Sequence, residues 1–467
     1  MSKRRKDDKN VNPGNPRGVS SLEEARAWMA ARKITEIECT VPDIAGVPRG
    51  KIMPASKFLA SPVMNLPVSV FMQTISGEYP EFEGLIDSVV ADSDLVLEPD
   101  LSTLCAVPWA HDPTAQIIHD AYHRDGRPVE IAPRNVLKHI ISLYTARGWQ
   151  PVVAPEIEFY LVEPNPDPDY PLSPPAGRTG RPEIGGQAYS IQAVNEFDPL
   201  FEDMYDYSEA QGLEIDTLIH EDGAAQMEIN LRHGDPLTLA DQVYLFKRTI
   251  REAALLHKTY ATFMAKPIAG EPGSAMHIHQ SVTSVETGRT IFSDEEGDPT
   301  PEFFSYIAGQ QKYLPAVMCI LAPYVNSYRR ITRASMAPIN VHWGYDNRTA
   351  GLRIPPSTAE ARRVENRLPS SDANPYLVIA ASLACGYLGM VEGLRPTDPL
   401  DSDAKLLDFE LPRGLQEAVA LFEDAEPLVE VLGRRFVATY AAVKQAEFET
   451  FMRVISPWER EFLLLNV

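Results

Sequence analysis

Residues 152–161 have the sequence VVAPEIEFYL, which predicts a buried strand that carries two glutamates. Side chains alternate between the two faces of a strand, so Glu156 and Glu158 point to the same side. The apolar side chains point to the other side, into the core: Ile157, Phe159 and Leu161. Two like charges on one face of an apolar strand are unfavourable unless cations compensate them. The alternative is an edge strand whose acidic face is solvated.

The totals exclude several classes of function. A chain of 467 residues is too long for one ordinary core, so two domains are expected. Its composition, 44% hydrophobic and 23% charged, is that of a globular protein. The net charge of -22 argues against a nucleic-acid partner, which requires a basic face. The same charge is compatible with a cationic substrate.

The cysteines and the apolar runs indicate the cellular compartment. Four scattered cysteines with no CxxC pair predict neither a zinc site nor a disulfide framework, which fits a reducing cytoplasm. We expect no membrane span, because the run at 316–325 is broken by Pro323. The basic segment MSKRRKDDKN lacks an apolar stretch, so we expect a disordered tail and not a secretory signal.

Composition and periodicity divide the chain into a disordered tail (1–20), a small N-terminal domain (21–130) and a large domain (131–467). We predict a helix at 21–32, a hairpin that begins at 34–41, and acidic loop structure at 73–100. The large domain opens with a helix at 133–147. Beyond it we predict a long Pro- and Gly-rich loop at 163–187, strands at 213–220, 225–231, 261–267 and 273–282, helices at 198–212, 236–260, 302–321 and 374–394, and irregular structure at 326–355.

Several interior strands repeat the pattern of polar residues on one face. The residues are Glu156, Glu158, Glu221, Glu228, His277, His279 and Glu365. Five carboxylates in one cavity would repel each other strongly unless cations are bound. Carboxylates with one or two imidazoles suit Mg²⁺ or Mn²⁺ better than Zn²⁺. Taken singly, each motif has a plainer explanation, since most histidines are structural and the arginines of 362–367 could form a solvated helix face.

Arginines accompany these carboxylates in the second half of the chain: Arg330, Arg348, Arg353, Arg363 and Arg367. Guanidinium groups together with divalent metal are what phosphoryl transfer needs, because charge on the transferring oxygens must be neutralised. No GxxxxGK[ST] loop is present, so a P-loop enzyme is excluded.

A set of longer motifs resembles the glutamine synthetase superfamily. They are PEIEFYL (155–161), HEDGAAQMEINL (220–231), GSAMHIHQS (273–281), VNSYRR (325–330), NRTAGLRIP (347–355), ARRVENRLP (361–369) and ANPYL (373–377). They occur in the family's order, and RGK at 49–51 resembles its N-terminal domain. The resemblance implies an α+β fold, with a small β-grasp-like domain and a catalytic domain built on a curved antiparallel sheet, a half-barrel, flanked by helices.

The resemblance also implies a role for each motif. One metal ion would be held by Glu158, Glu221 and Glu228, and another by Glu156, His277 and Glu365. ATP would lie against His279, Ser281, Arg353 and Arg363, and glutamate would bind to Glu158, Gly273, Arg330 and Arg367. Arg348 would stabilise the phosphoryl group during its transfer. Two to three Mg²⁺ or Mn²⁺ ions per site are implied. The implied reaction forms γ-glutamyl phosphate from glutamate and ATP, and an amine then displaces phosphate. The implied assembly is a dodecamer of two stacked hexamers.

The sequence departs from the family where ammonia would be handled. Met336 stands six residues after Arg330, where glutamine synthetases have a glutamate, and a thioether cannot act as a base. The FDGSS-type motif is replaced by QTISGEYPEFEG (73–84). Together with PRNVL (133–137), KTYATFMAKP (258–267) and WGYDNRT (343–349), these features resemble γ-glutamylputrescine and polyamine synthetases.

We therefore expect an organic amine as the acceptor. Its cationic tail would meet an acidic, aromatic loop that contains Glu78, Tyr79, Glu81 and Glu83, with Met336 nearby, and Glu221 would take its proton. The loop acids could equally be solvated surface groups. The alternatives are a glutamine synthetase that uses ammonia, a γ-glutamyl-monoamine or ethanolamine synthetase, and a non-catalytic scaffold. Phe409 replaces the tyrosine that is adenylylated in some bacterial members, so that control is not expected.

Overall fold

The computed structural model describes residues 15–81 and 92–467. Its helices are α1 (Leu22–Ala31), α2 (Ala55–Ala60), α3 (Pro133–Thr145), α4 (Ile191–Asn195), α5 (Asp198–Gln211), α6 (Pro236–Leu256), α7 (Pro301–Tyr313), α8 (Met318–Leu321), α9 (Val325–Tyr328), α10 (Pro375–Glu392), α11 (Leu415–Asp424), α12 (Glu426–Leu432), α13 (Arg434–Met452) and α14 (Pro457–Phe462). Its strands are β1 (Glu36–Pro42), β2 (Pro48–Pro54), β3 (Met64–Pro67), β4 (Asp94–Pro99), β5 (Cys105–Ala106), β6 (Thr114–Tyr122), β7 (Trp149–Val162), β8 (Ile215–His220), β9 (Gln226–Leu231), β10 (Tyr260–Thr262), β11 (Met276–Ser284), β12 (Trp343–Tyr345), β13 (Leu352–Ile354) and β14 (Val364–Asn366).

The N-terminal part folds around a mixed sheet in the order β2-β1-β6-β4-β3, with β5 also paired to β6. The predicted helix and hairpin are confirmed: Ser21 caps α1, and β1 and β2 pair antiparallel. β1 also pairs in parallel with β6, which brings residues far apart in the chain together. Residues 15–20, which we assigned to the tail, bond to this part, since the Trp28 indole N–H donates to the Asn15 carbonyl oxygen at 3.1 Å.

The larger sheet has the order β12-β13-β14-β11-β7-β9-β8, and β10 pairs with β7. Its pairs are antiparallel except for the parallel pair β12–β13. The predicted α+β fold with a curved antiparallel sheet and flanking helices is confirmed. The stretch that carries Glu156 and Glu158 is the centre of this sheet, because β7 pairs with β9, β10 and β11. The solvated edge strand is therefore the wrong alternative.

The apolar face of β7 is the foundation of the core. Ile157, Phe159 and Leu161 are fully buried. The Phe159 ring lies 6.5 Å from that of Phe246 on α6 and 5.6 Å from that of Phe263, which follows β10. The alternation of polar and apolar residues along β7 thus fixes which of its faces carries the glutamates.

Helix α10 corrects one expectation about apolar runs. Pro375–Glu392 is long and apolar enough to cross a membrane by composition, but 78% of that window is buried inside the protein. The helix packs against α3, α6 and α7, so it is apolar on all sides because it is surrounded by other helices.

Three other predictions need correction. Asp94–Pro99 lies in the segment predicted as loop but forms β4, whose partners are distant in sequence. The segment 326–355 contains the three-residue strands β12 and β13, which are too short to give a periodic pattern. The strand predicted at 261–267 ends at Thr262, and the chain then turns so that the Lys266 amide donates to Asn326 Oδ1 at 2.9 Å.

A buried arginine forms ion pairs that connect the N-terminal part with the domain of the larger sheet. Arg134, at the start of α3, donates to both carboxylate oxygens of Asp241 on α6 at 3.0 Å and to Asp100 at 2.6 Å, and it also pairs with Asp120. Burial opposes the charge of Arg134, but the three carboxylates outweigh it and raise its pKa. The domain limits at residue 130 remain a prediction, although all strands of the first sheet lie within 36–122 and those of the second within 149–366.

His119 predicts an acid-sensitive component of stability. The side chain is fully buried, and burial lowers its pKa from 6.5 to about 4. The unfolded chain therefore binds a proton between these pH values that the folded protein does not, so stability falls as pH falls from 6.5 through 4. Denaturant unfolding should show that the free energy of unfolding falls by about 3 kcal/mol less in His119→Gln than in the wild type between pH 7 and pH 4.

The control is His111→Gln, because the His111 side chain is fully exposed. Its pH dependence should match that of the wild type. If the free energy of unfolding fell equally in the wild type and in His119→Gln as the pH is lowered, His119 would not titrate in this way.

A candidate carboxylate metal centre

Strand register brings the predicted site residues together. Strand β7 lies between β11 and β9. Glu156 is opposite His277 of β11, and Glu158 is opposite Glu228 of β9. The next strand, β14, places Glu365 opposite His279 of β11. Because side chains at paired positions share a face, one face of the sheet collects the polar groups that the sequence distributes over four strands.

The first group of possible ligands contains Glu156, His277 and Glu365, whose ligand atoms lie within 4.8 Å of one another. His277 Nδ1 is 3.4 Å from Glu156 Oε2 and 3.7 Å from Glu365 Oε1. His279 Nε2 bonds the other oxygen, Glu156 Oε1, at 2.8 Å. Burial alone would raise the pKa of Glu156, but the hydrogen bonds with His277 and His279 outweigh it and hold that pKa below its usual range.

The second group contains Glu158, Glu228 and His277, again within 4.8 Å. Glu158 Oε2 accepts hydrogen bonds from the Ala275 amide at 2.8 Å and from Gln226 Nε2 at 3.2 Å, which fixes the carboxylate. Gln226 was not among the predicted site residues, although it shares the polar face of β9 with Glu228.

The charges of this cluster are uncompensated. Burial, with the neighbouring Glu221, raises the pKa of Glu158 to about 8. Burial and the surrounding carboxylates raise the pKa of Glu228 well above its usual value, and that of Glu221 is raised as well. These carboxyl groups suppress one another's ionisation, and a bound divalent cation would stabilise their ionised forms. The donor set therefore fits Mg²⁺ or Mn²⁺.

Arginines surround one side of the cluster. Glu365 accepts a hydrogen bond from Arg353 at 2.8 Å and also pairs with Arg367. Arg363 Nε lies 3.2 Å from His279 Nδ1. Asp346, which the sequence analysis did not single out, bonds the far side of the Arg353 guanidinium at 2.7 Å.

Arg330 is buried and held by backbone. Its guanidinium donates to the carbonyl oxygens of Leu368 at 2.8 Å and Arg367 at 3.0 Å. Gly273 lies against its stem, since a Cβ at that position would be 2.6 Å from Arg330 Cγ. A side chain at 273 would displace the arginine, which explains glycine there.

A cavity of about 590 Å³ opens beside the first group. Its lining includes Glu156, His279, Ser281 and Arg363, together with Asn230, whose buried Oδ1 has no hydrogen-bond partner among the residues that the structure describes. The volume is within the range of small-molecule sites. The predicted nucleotide-facing residues His279, Ser281 and Arg363 therefore share one cavity.

The comparisons with known proteins agree with this geometry. The family model for the catalytic domain of glutamine synthetase matches residues 130–463. The chain belongs to the glutamine synthetase family. As a glutamine synthetase-family ligase it is expected to use ATP and divalent metal, as family enzymes do.

Its relatives include members that are named for organic amines. The chain is 35% identical over 461 residues to γ-glutamylputrescine synthetase PuuA of Escherichia coli, with 96% of each chain covered. It is 33% identical to glutamate–isopropylamine ligase of a Pseudomonas species, with 93% of this chain and 96% of that protein covered. Among solved structures, GmaS without ligand superposes with a TM-score of 0.78 at 28% identity, covering 94% of this chain and 99% of that one.

The residues predicted to contact the amine do not belong to the two groups of possible metal ligands. Glu78 is exposed and accepts a hydrogen bond from Thr450 of α13 at 2.7 Å, and Glu81 is exposed. Met336 is 73% exposed. Glu83 lies outside the described residues. Arg348 is exposed, and its charge partly opposes the rise in the pKa of Glu221.

Glu228→Gln tests whether the cluster is a metal site. The change should raise the thermal unfolding temperature of the metal-free protein, because folding no longer has to suppress the ionisation of a buried carboxylate. The same change should reduce the increase in unfolding temperature that Mn²⁺ produces, because a ligand is lost. Glu286→Gln, at an exposed position, is the control and should behave like the wild type. An unchanged Mn²⁺ effect in Glu228→Gln would contradict the assignment.

Proposed function

We propose that this chain is an ATP-dependent ligase that joins the γ-carboxylate of glutamate to an organic amine, with putrescine or a longer polyamine preferred. The observation that carries the proposal is Met336, whose exposed thioether replaces the carboxylate that would bind ammonium. Two relatives support it by their names, γ-glutamylputrescine synthetase and glutamate–isopropylamine ligase. The products are the γ-glutamyl amine, ADP and phosphate.

Two groups of residues would hold the divalent ions. Glu158 and Glu228 would hold one near glutamate together with Glu221, whose charge raises the pKa of Glu158. Glu156, His277 and Glu365 would hold one near the ATP phosphates, with two to three ions per site. The ions would supply charge neutralisation for the phosphate oxygens. Arg353 and Arg367, both on Glu365, orient that carboxylate.

The substrates would occupy opposite sides of the cluster. His279, Ser281, Arg353 and Arg363 would face ATP, and the cavity beside Glu156 is large enough for part of a nucleotide. Glutamate would lie over Arg330 and Arg367, with Glu158 and Gly273 at its amino end. The buried, backbone-held guanidinium of Arg330 supports this role, because its orientation is fixed before the substrate arrives.

The chemistry has two steps. The γ-carboxylate of glutamate attacks the terminal phosphorus of ATP, the bond to ADP breaks, and γ-glutamyl phosphate forms. Arg348 would neutralise the phosphoryl group during transfer. The amine, after losing its proton to Glu221, then attacks the acyl carbon, and phosphate leaves.

The amine's cationic tail would meet the loop with Glu78, Glu81 and Glu83, close to Met336. This arrangement requires the assembly that the family resemblance implies, two stacked hexamers in which the N-terminal domain of one subunit caps the catalytic domain of the next. We further propose a cytoplasmic location. An ammonia-dependent glutamine synthetase is the second candidate, which the archaeal relatives of that name favour at 31% identity.

An amine panel distinguishes these candidates. Phosphate release should be measured with ATP, Mg²⁺ and glutamate, comparing ammonia with mono-, di- and polyamines. We expect turnover with putrescine or longer polyamines and little with ammonia. Met336→Glu should raise the rate with ammonia, because the carboxylate that binds ammonium is restored. Turnover chiefly with ammonia in the wild type would contradict the proposal.

Glu81→Ala tests the amine-binding loop. The Michaelis constant for putrescine should rise several-fold, since a charge that pairs with the distal ammonium is lost. That for isopropylamine, which has no distal ammonium, should not change. Glu286→Ala serves as the control for loss of surface charge. An unchanged constant for putrescine would show that Glu81 does not contact the amine.

A further inference from the structure

A second cavity lies between the N-terminal part and the larger sheet's domain, apart from the carboxylate cluster. Its volume is about 530 Å³. The turn Ala45–Pro48, which joins β1 and β2, lines one side, and α6 and the segment after β10 line the other. None of the metal, nucleotide or glutamate residues named above is part of its lining.

Two cations approach the same aromatic ring in this cavity. Lys247 Nζ lies 5.4 Å and the Arg251 guanidinium carbon 5.0 Å from the centre of the Phe263 ring. The two residues are four apart on α6, so they share a face of the helix. Burial of Lys247, and next the repulsion from Arg251, lower the pKa of Lys247 to about 7.

Most of the donor capacity of Arg251 is unused. Within residues 15–81 and 92–467, no hydrogen bond or ion pair joins the Arg251 guanidinium to another group, and its neighbours include Phe263, Lys247 and Tyr324. Lys247 differs, since it donates to the carbonyl oxygens of Ser371 at 2.5 Å and Ala373 at 2.8 Å. An ammonium has three N–H donors, so one remains for a ligand.

Two acidic residues, Asp372 and Glu252, belong to the lining of the cavity, and Asp372 favours the protonated form of Lys247. Asp372 accepts a hydrogen bond from Ser327 at 2.8 Å, and burial raises its pKa, which disfavours its negative charge. The third cation of the lining, Arg248, is already paired with Glu38 and Gln116. Glu252 is the remaining acid of the lining. Among the described residues no carboxylate forms an ion pair with the Arg251 guanidinium, so its charge is available to a ligand.

We propose that this cavity binds a small oxyanion, a carboxylate or a phosphate, between Arg251 and Lys247. A guanidinium presents paired donors that match the two oxygens of such a group, and the adjacent ammonium adds a point charge. The Phe263 ring lies within 5.4 Å of both cations, and the turn Ala45–Pro48 also lines the cavity. The site goes beyond the ligase function and does not depend on which amine is used.

Isothermal titration of the full-length protein with inorganic phosphate, and separately with succinate, tests the site. The catalytic site is first saturated with Mg²⁺, glutamate and a non-hydrolysable ATP analogue, so that it cannot take up the anion. We expect wild type to bind at least one of the two. Tighter binding of phosphate identifies a phosphate site, and tighter binding of succinate a carboxylate site.

Arg251→Gln should weaken this binding about tenfold or more, because a charge-assisted donor pair is lost. Arg251 is an exposed side chain, so the variant should fold, which its unfolding temperature will show. The matched control is Arg147→Gln, whose guanidinium also stacks on aromatic rings, Trp149 and Tyr387, but outside the cavity. Binding of neither anion to wild type, or equal binding to wild type and Arg251→Gln, would overturn the proposal.

Discussion

Mutual repulsion among buried carboxylates is the constraint on which the functional part of this protein depends. Glu156, Glu158, Glu228 and Glu365 project from one face of a sheet whose other face is apolar core. Such an arrangement is tolerable only if each charge finds a partner. The protein supplies partners on one side, where histidines and arginines lower the pKa of Glu156 and Glu365, and leaves the other side, Glu158 and Glu228, uncompensated.

This asymmetry suits the chemistry that we propose. The arginine-rich side would neutralise phosphate oxygens, and the uncompensated side would hold a cation beside the carboxylate of glutamate. The chain's membership of the glutamine synthetase family supports that reaction, and in our proposal the choice of acceptor amine depends on residues outside the cluster. Met336 and the loop around Glu78 belong to segments on the protein's surface, so the acceptor can change without disturbing the costly charges at the centre.

The sequence predicted much of the site because strand alternation is a local property. The spacing of Glu156 and Glu158, and of His277 and His279, is enough to place each pair on one face. Register is not local: that Glu158 faces Glu228, or that Glu365 faces His279, follows only from pairing across the sheet. The motifs' resemblance to a known family supplied that information in advance.

Other features could not be predicted. β4, β12 and β13 form because other strands pair with them, and their own sequences have no clear period. The helical spacing of Lys247 and Arg251 is visible in the sequence, but the ring between them and the opposite wall come from Phe263 and the turn at 45–48. Tertiary contact decides these cases, as it does for β-strands in general.

The most direct test of the central constraint is the position of bound metal. Crystals grown with Mn²⁺, glutamate and a non-hydrolysable ATP analogue would show each ion by its anomalous scattering. We predict at least two peaks, one among Glu156, His277 and Glu365 and another among Glu158, Glu221 and Glu228. Absence of manganese from these carboxylates, with the nucleotide bound, would contradict the view that cations hold the cluster together.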